Sequence, residues 1–430
     1  MGVKDLLGKE ALPLFAKKPC SSVSLVEFGF LFSVFFEPWG PVFRYFGWFL
    51  CLIGVGILVF RGGKKELRAF IEPFTKKIML VILLWSLIVT VLNSRGLYFD
   101  LKGFSMLLEA FFAVWLSSFV ITKYEGALFR LISVWTASFV CVLCWVLWAA
   151  LAKNHFAGPF SNMNTMGIYS VVVLPVILFQ AFKERKNICL EMFFPALFAL
   201  SLLLVFLSFS SCAWIAGAFT VGIFLFLMFL IRPGKRQLIR VAAVSCVFFA
   251  LFACFFVFAD VKASAYAKRE ISQILSFNKD FTRFTTHRNI IWKSVVGLWK
   301  EKPFIGWGWS DFKHLAEDKI GKLPRVGVPH EPHNVYLELL VRGGVLLPFL
   351  AVTLFMRGAW CGYKKMKESK NFSLKLLYAA LIAAIMAQVV YGFGGSILMA
   401  RQKVGFLFWV LFGIAVSERG GEVLDERQSC

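Results

Sequence analysis

Polar sequence is what this chain has least of. Only 17% of its 430 residues are charged, 59% are hydrophobic, 50 are Phe, and the mean hydropathy is +0.73. One soluble core cannot enclose that much apolar surface, and repeated charge-free runs of about 18 residues or more require a bilayer. Period-two alternation is absent from those runs, which excludes an outer-membrane barrel. A cleavable signal pattern is absent too: residues 1–22 mix Lys4, Lys9, Lys17 and Lys18 with acids and Pro, as a cytoplasmic tail does. None of the ten cysteines falls between 260 and 332. Cys51, Cys141, Cys144, Cys189, Cys212, Cys246 and Cys254 lie in or beside apolar runs, as small hydrophobes of helices. Cys141 and Cys144 have a redox spacing, but amid Val, Leu and Trp they simply share one helix face.

The fold class is therefore all-α, a polytopic transmembrane helical bundle of about 12 spans with one large loop containing short helices. The spans fall at about 23–37, 40–60, 74–93, 103–122, 128–152, 163–182, 188–208, 212–231, 239–259, 333–356, 374–391 and 396–416. The first and last are the weakest, being short or carrying a charge such as Glu27 or Arg401. Four parts follow: an N-terminal transmembrane region at 1–259, the large loop at 260–332, a C-terminal transmembrane region at 333–417 and a cytoplasmic tail at 418–430.

Lys and Arg set the orientation. With the N-terminus inside, the inner tails and short connections carry 27 of them and the short outer ones 6. That asymmetry predicts cytoplasmic N- and C-termini and a loop outside the membrane, long loops being exempt from the rule. Most of the net charge of +22 is this inner bias, set against anionic headgroups, so it implies no nucleic-acid partner. The loop's own 13 basic residues exceed its 8 acids and lie where an anionic headgroup or a lipid diphosphate would be met, although a solvated face explains most of them.

Within the loop, Thr286-His287-Arg288-Asn289-Ile290-Ile291-Trp292 begins an amphipathic helix, with Ile291, Val295, Leu298 and Trp299 at helical spacing. Such a helix can lie on the membrane, apolar side down. Lys302-Pro303 ends it, and Gly306-Trp307-Gly308-Trp309 predicts a tight aromatic turn. The Trp side chains either anchor at the interface or form a platform for a sugar ring. His330-Glu331-Pro332-His333-Asn334 then opens the tenth span. A zinc reading is disfavoured, since the two His are three apart across a Pro rather than four apart on one helix face. His333 and Asn334 instead start a helix whose N–H groups suit phosphate oxygens or a developing alkoxide, with His333 either structural or a near-neutral proton acceptor.

These stretches together resemble the O-antigen ligase and polymerase superfamily: Gly158-Pro159-Phe160-Ser161-Asn162-Met163-Asn164 before the sixth span, Arg288 to Trp292, Pro303-Phe304-Ile305-Gly306-Trp307-Gly308, and His333-Asn334 with Gly344 beyond. The likeness covers about 160–350. It implies a metal-independent glycosyltransferase of the bacterial inner membrane, without cofactor. The donor would be a polyprenyl-diphosphate-linked glycan and the acceptor, in the ligase branch, a lipid-core saccharide. His333 matches the family's functional His and Arg288 its loop Arg. A second Arg is expected in Ser-Arg-x-Ala-Trp, but Ser210-Ser211-Cys212-Ala213-Trp214 puts Ser211 in its place. Leu347 and Arg342 also depart from the pattern, standing where a small residue and an acid are frequent. Arg283, Arg325 and Arg401 are left as cations to compensate. Asn334, Asn162, Asn164 and Trp307 are candidates for substrate contacts, Asn162 and Asn164 being equally readable as caps of the sixth span.

A transporter would place ionisable groups and broken helices near the midplane, where Glu109 and Gln388 are among the few polar candidates and no convincing repeat is visible. A structural scaffold is the other rival. The orientation is open to cysteine labelling: a site introduced near Lys319 reacts with impermeant reagent from outside and one near Lys365 does not. Equal protection of both defeats the assignment.

Overall fold

A computed structural model of the chain describes residues 21–61, 71–94, 96–153, 157–160, 162–258, 261–276, 278–395 and 404–418. It is all-helical, and the described residues hold no strand beyond two isolated bridges. The first four helices are α1 (Ser21–Phe36), α2 (Pro41–Phe60), α3 (Pro73–Leu92) and α4 (Leu97–Lys123). Next come α5 (Ala127–Lys153), α6 (Met163–Phe182), α7 (Ile188–Leu207), α8 (Ser211–Leu230) and α9 (Lys235–Phe258). The loop holds α10 (Val261–Leu275), α11 (Phe281–Phe284), α12 (Arg288–Glu301) and α13 (Phe312–Lys319). The chain then returns through α14 (Val335–Gly343), α15 (Leu346–Glu368), α16 (Phe372–Tyr391) and α17 (Gly405–Val416).

Ten helices, α2 to α9 with α15 and α16, contain segments long and apolar enough to cross a membrane. The two weakest of the expected twelve are not among these ten. Their described parts, the 16 residues of α1 and the 12 of α17, extend roughly 24 Å and roughly 18 Å, and the stretches that precede them, 1–20 and 396–403, lie outside the described residues. The expected span at 333–356 is also corrected. It breaks at Gly344, and the long helix is Leu346–Glu368. Gly344 has φ +65°, and a Cβ there would stand 2.0 Å from the Phe304 carbonyl oxygen. Any other residue would be strained and would collide, so the loop docks into the break itself.

In the bundle, α6 is the axle, with every side chain from Met166 to Phe182 buried, and α16 packs against α6, α8, α15 and α17. Close approach relies on small residues: a Cβ on Gly29 of α1 would lie 2.5 Å from the Gly47 carbonyl oxygen of α2. One end of the bundle carries paired charges, with Glu72 bound by Arg357 at 2.7 Å and Glu191 by Arg240. The other end carries the loop.

The loop has its own core. Ile291, Val295 and Leu298 of α12 pack with Trp307, Phe312, Leu315, Ala316 and Val341. The apolar side of α12 is thus covered by protein, a correction to its expected place against the bilayer. Both tight-turn glycines take positive φ, +71° at Gly306 and +80° at Gly308. The turn then zips onto the end of α14, the Trp307 N–H donating to the Val341 carbonyl at 2.6 Å and the Gly308 N–H to that of Arg342 at 2.9 Å. From α3, the Trp85 indole N–H donates to the Gly343 carbonyl at 2.8 Å.

Candidate functional site

Arg288 is placed by a strained turn. Thr286 and His287 take φ +53° and +64°, and the Gln273 amide donates to the Phe284 carbonyl at 3.0 Å and to the Thr286 hydroxyl at 2.9 Å. This starts α12 so that Arg288, its first residue, reaches the C-terminus of α16, where its Nη1 donates to the Gly394 carbonyl at 2.5 Å and contacts the Cys212 sulfur at 3.5 Å. A carbonyl just beyond a helix C-terminus lies near the negative end of the helix dipole, which attracts cations. Gly394 is required by the crowding, since a Cβ there would meet the Cys212 sulfur at 2.3 Å.

His333 reaches the same place from the other side. It has φ +51°, and its Nδ1 lies 2.9 Å from a Glu331 carboxylate oxygen, with both side chains about a third exposed. The Trp292 indole N–H fixes the approach by donating to the Pro332 carbonyl at 3.1 Å. Next along the chain, the Asn334 amide donates to the Phe393 carbonyl at 3.3 Å and the Val335 N–H to the Gly392 carbonyl at 2.9 Å. Tyr336 donates its hydroxyl to the Val389 carbonyl at 2.6 Å. Burial pushes that phenol up to about 12, so it stays a neutral donor at physiological pH. The carbonyls of Gly392, Phe393 and Gly394 therefore hold the His333 and Arg288 segments side by side. Tyr391, buried beside them, bonds Ser210 and lies within electrostatic reach of Cys212, Arg288 and Glu331.

Other expectations are corrected. The start of α14 does not offer its N–H groups to a ligand as expected: the Val335 N–H is taken by Gly392, and the Leu337 N–H by the Asn334 side chain at 3.1 Å. Trp307 presents no face to a sugar, being 7% exposed in the loop core with its indole N–H on the Leu298 carbonyl at 2.9 Å. Asn162 caps α6 by accepting from the Thr165 N–H at 2.8 Å, while Asn164 stands exposed on the first turn. Arg283 bonds the Ser272 hydroxyl at 2.6 Å, and Arg325 is exposed in a turn of the loop at φ +63°. Neither is brought to the Arg288 guanidinium. Arg401 lies outside the described residues. Arg342 is buried with Glu338 at 2.8 Å and rests on the Trp309 ring, a packing role. Leu347 is buried in the bundle core.

At the place of the expected second Arg, the Ser211 N–H opens α8 and donates to the Glu270 carboxylate at 3.2 Å. Sequence reasoning missed Glu270, Gln273 and Tyr391, because each acts across the tertiary structure, and it read Glu331 only as part of a disfavoured metal pattern although it lies two residues from His333. The one available signal was the Tyr391-Gly-Phe-Gly-Gly run at a helix end. Among the described residues, no group of three or more His, Cys, Asp or Glu is gathered to hold a metal ion.

Residues 196–352 match the O-antigen ligase family. The match runs from α7 into α15 and includes Cys212, Glu270, Arg288 and His333, so the superfamily resemblance is borne out there. Members of this family are glycosyltransferase-like enzymes, ligases or polymerases, and the match does not separate the two. No curated protein matches the chain.

Burial raises the pKa of Glu270 above the ordinary carboxylate value, opposed by the Ser211 N–H and by the charges of Arg269 and Arg288. With the folded pKa raised, the folded state binds the proton more tightly than the unfolded chain does. Stability is then full below about pH 4.5 and falls as pH rises through the folded pKa. Thermal melts of Glu270→Gln should match the parent near pH 4 and exceed it at pH 8. A parent at least as stable as the variant at pH 8 would refute this.

Proposed function

We propose that this chain is a multi-pass glycosyltransferase of the bacterial inner membrane, of the O-antigen ligase type, that moves a glycan from a polyprenyl diphosphate to a lipid-core saccharide. The carrying observation is that the segment bearing Glu331 and His333, fastened through Asn334 and Val335, and the Arg288 guanidinium are held to consecutive carbonyls of the turn after α16. The basic asymmetry of the connections supports cytoplasmic termini and a periplasmic site.

In this reading Glu331 accepts from His333 Nδ1, which leaves Nε2 as the proton acceptor. An acceptor hydroxyl gives its proton to Nε2 as its oxygen bonds to the anomeric carbon. The bond from that carbon to the diphosphate oxygen breaks, with inversion. The leaving diphosphate takes the electron pair, and Arg288 meets its charge. A guanidinium carries five N–H donors, and the described bonds of Arg288 engage Nη1 alone. A diphosphate leaves readily without added metal, so position and charge stabilisation are the main contributions of the protein.

His333→Ala and Arg288→Ala should each lower transfer by about 100-fold or more at equal membrane abundance, whereas exposed His330→Ala should be mild. Glu331→Gln should fall between them. Undiminished product from His333→Ala would remove it from the chemistry.

The ligase branch is favoured because one large loop carries His333 at its end, the other connections on that side being short. In cells lacking the protein, bare lipid core should accompany accumulated polyprenyl-linked glycan. Cores bearing a single repeat unit would identify a polymerase instead.

A further inference from the structure

The face of α12 opposite the loop core forms an open groove of about 510 Å³ between that helix and α11. Phe281 and Trp292 wall one end, their rings 6.5 Å apart. Asn289 is fixed in it, its amide donating to the Thr282 hydroxyl at 2.8 Å. Lys293 and Lys300, both exposed, line the rest, and no lining side chain is acidic. Gly297 forms part of the floor, where an added Cβ would meet nothing within 4 Å.

We infer that this groove is a subsite for an acidic saccharide of the glycan being transferred. The inference rests on the proposed transferase reading, and three observations carry it. The groove is continuous with the candidate site: Trp292 holds the Pro332 carbonyl beside His333, and Arg288 lies one helical turn before Trp292. A glycan joined to a diphosphate at Arg288 runs along α12 from there. Its chemistry is that of sugar recognition, an aromatic wall and a held amide, with cations added. Lys293 and Lys300 lie roughly 10 Å apart along the helix, beyond the reach of one diphosphate already at Arg288, so they match charges on the sugars themselves.

The test reads binding without transfer. Protein in zwitterionic nanodiscs is titrated calorimetrically with a soluble oligosaccharide of alternating uronic acid and neutral hexose, and with its carboxyl-reduced counterpart. The acidic chain should bind the parent about tenfold more tightly than the neutral one. Lys293→Gln with Lys300→Gln should abolish that preference, two exposed ion pairs being worth about that factor. Gly297→Leu should block both chains while its melting temperature stays at or above the parent's, since Gly is the weaker helix former. His333→Ala should bind as the parent does, so a failed transferase reading leaves this result standing. In transfer assays the lysine pair should raise KM for an acidic donor and leave KM for the acceptor unchanged. Equal affinity for the two oligosaccharides, or a shift confined to the acceptor KM, overturns the inference. So does loss of preference for phosphatidylglycerol discs without loss of saccharide binding, which would make the groove a headgroup contact.

Discussion

The carbonyls of the turn that follows α16 are the constraint on which the site depends. Three successive carbonyls just beyond the end of α16, at Gly392, Phe393 and Gly394, accept from Val335, Asn334 and Arg288. Backbone acceptors take partners where they can, and these bonds fix the His333 segment and the start of α12 to one rigid post. That post is the end of a helix buried along most of its length. The candidate acid–base group and the candidate anion binder therefore inherit the stiffness of the bundle rather than the mobility of a loop.

The loop is held to the bundle at its other end by a second set of contacts. The Phe304 carbonyl against Gly344, the Trp307 and Gly308 N–H groups on α14, and the Lys302 ammonium on Asn93 at 2.5 Å bind the far end of α12 to α3 and α14. With Arg288 fixed at one end and Lys302 at the other, α12 crosses the end of the bundle. Its apolar residues are consumed by the loop core, and the opposite, lysine-bearing face remains open beside His333.

Ser211 changes the electrostatics of this arrangement. An Arg there would bring a second cation beside Arg288, whereas Ser211 leaves a backbone N–H that Glu270 accepts. An acid thus enters the neighbourhood of the guanidinium, and its burial disfavours the ionised form. Two of the three expected compensating cations are not gathered there, since Arg283 bonds Ser272 and Arg325 is exposed in a turn of the loop; Arg401 lies outside the described residues. Of the expected cations that lie among the described residues, Arg288 is the one bonded to this turn.

The sequence by itself determined the membrane class, most of the spans, the amphipathic helix after His287, its end at Lys302-Pro303 and the glycine turn at 306–308. Each follows from local quantities: the apolarity of a window of about 20 residues, helical periodicity, or the dihedral demands of Gly and Pro. The family resemblance of those stretches is what singled out Arg288 and His333 as candidates. Only the tertiary structure decided that the apolar side of α12 faces protein, that Trp307 turns inward, that Gly344 interrupts a continuous apolar run, and that Tyr391 belongs beside the site. Arg288 meets Gly394 across 106 positions, and no local pattern encodes which distant carbonyl a guanidinium will find. That choice is made when helices pack and buried polar groups must find partners.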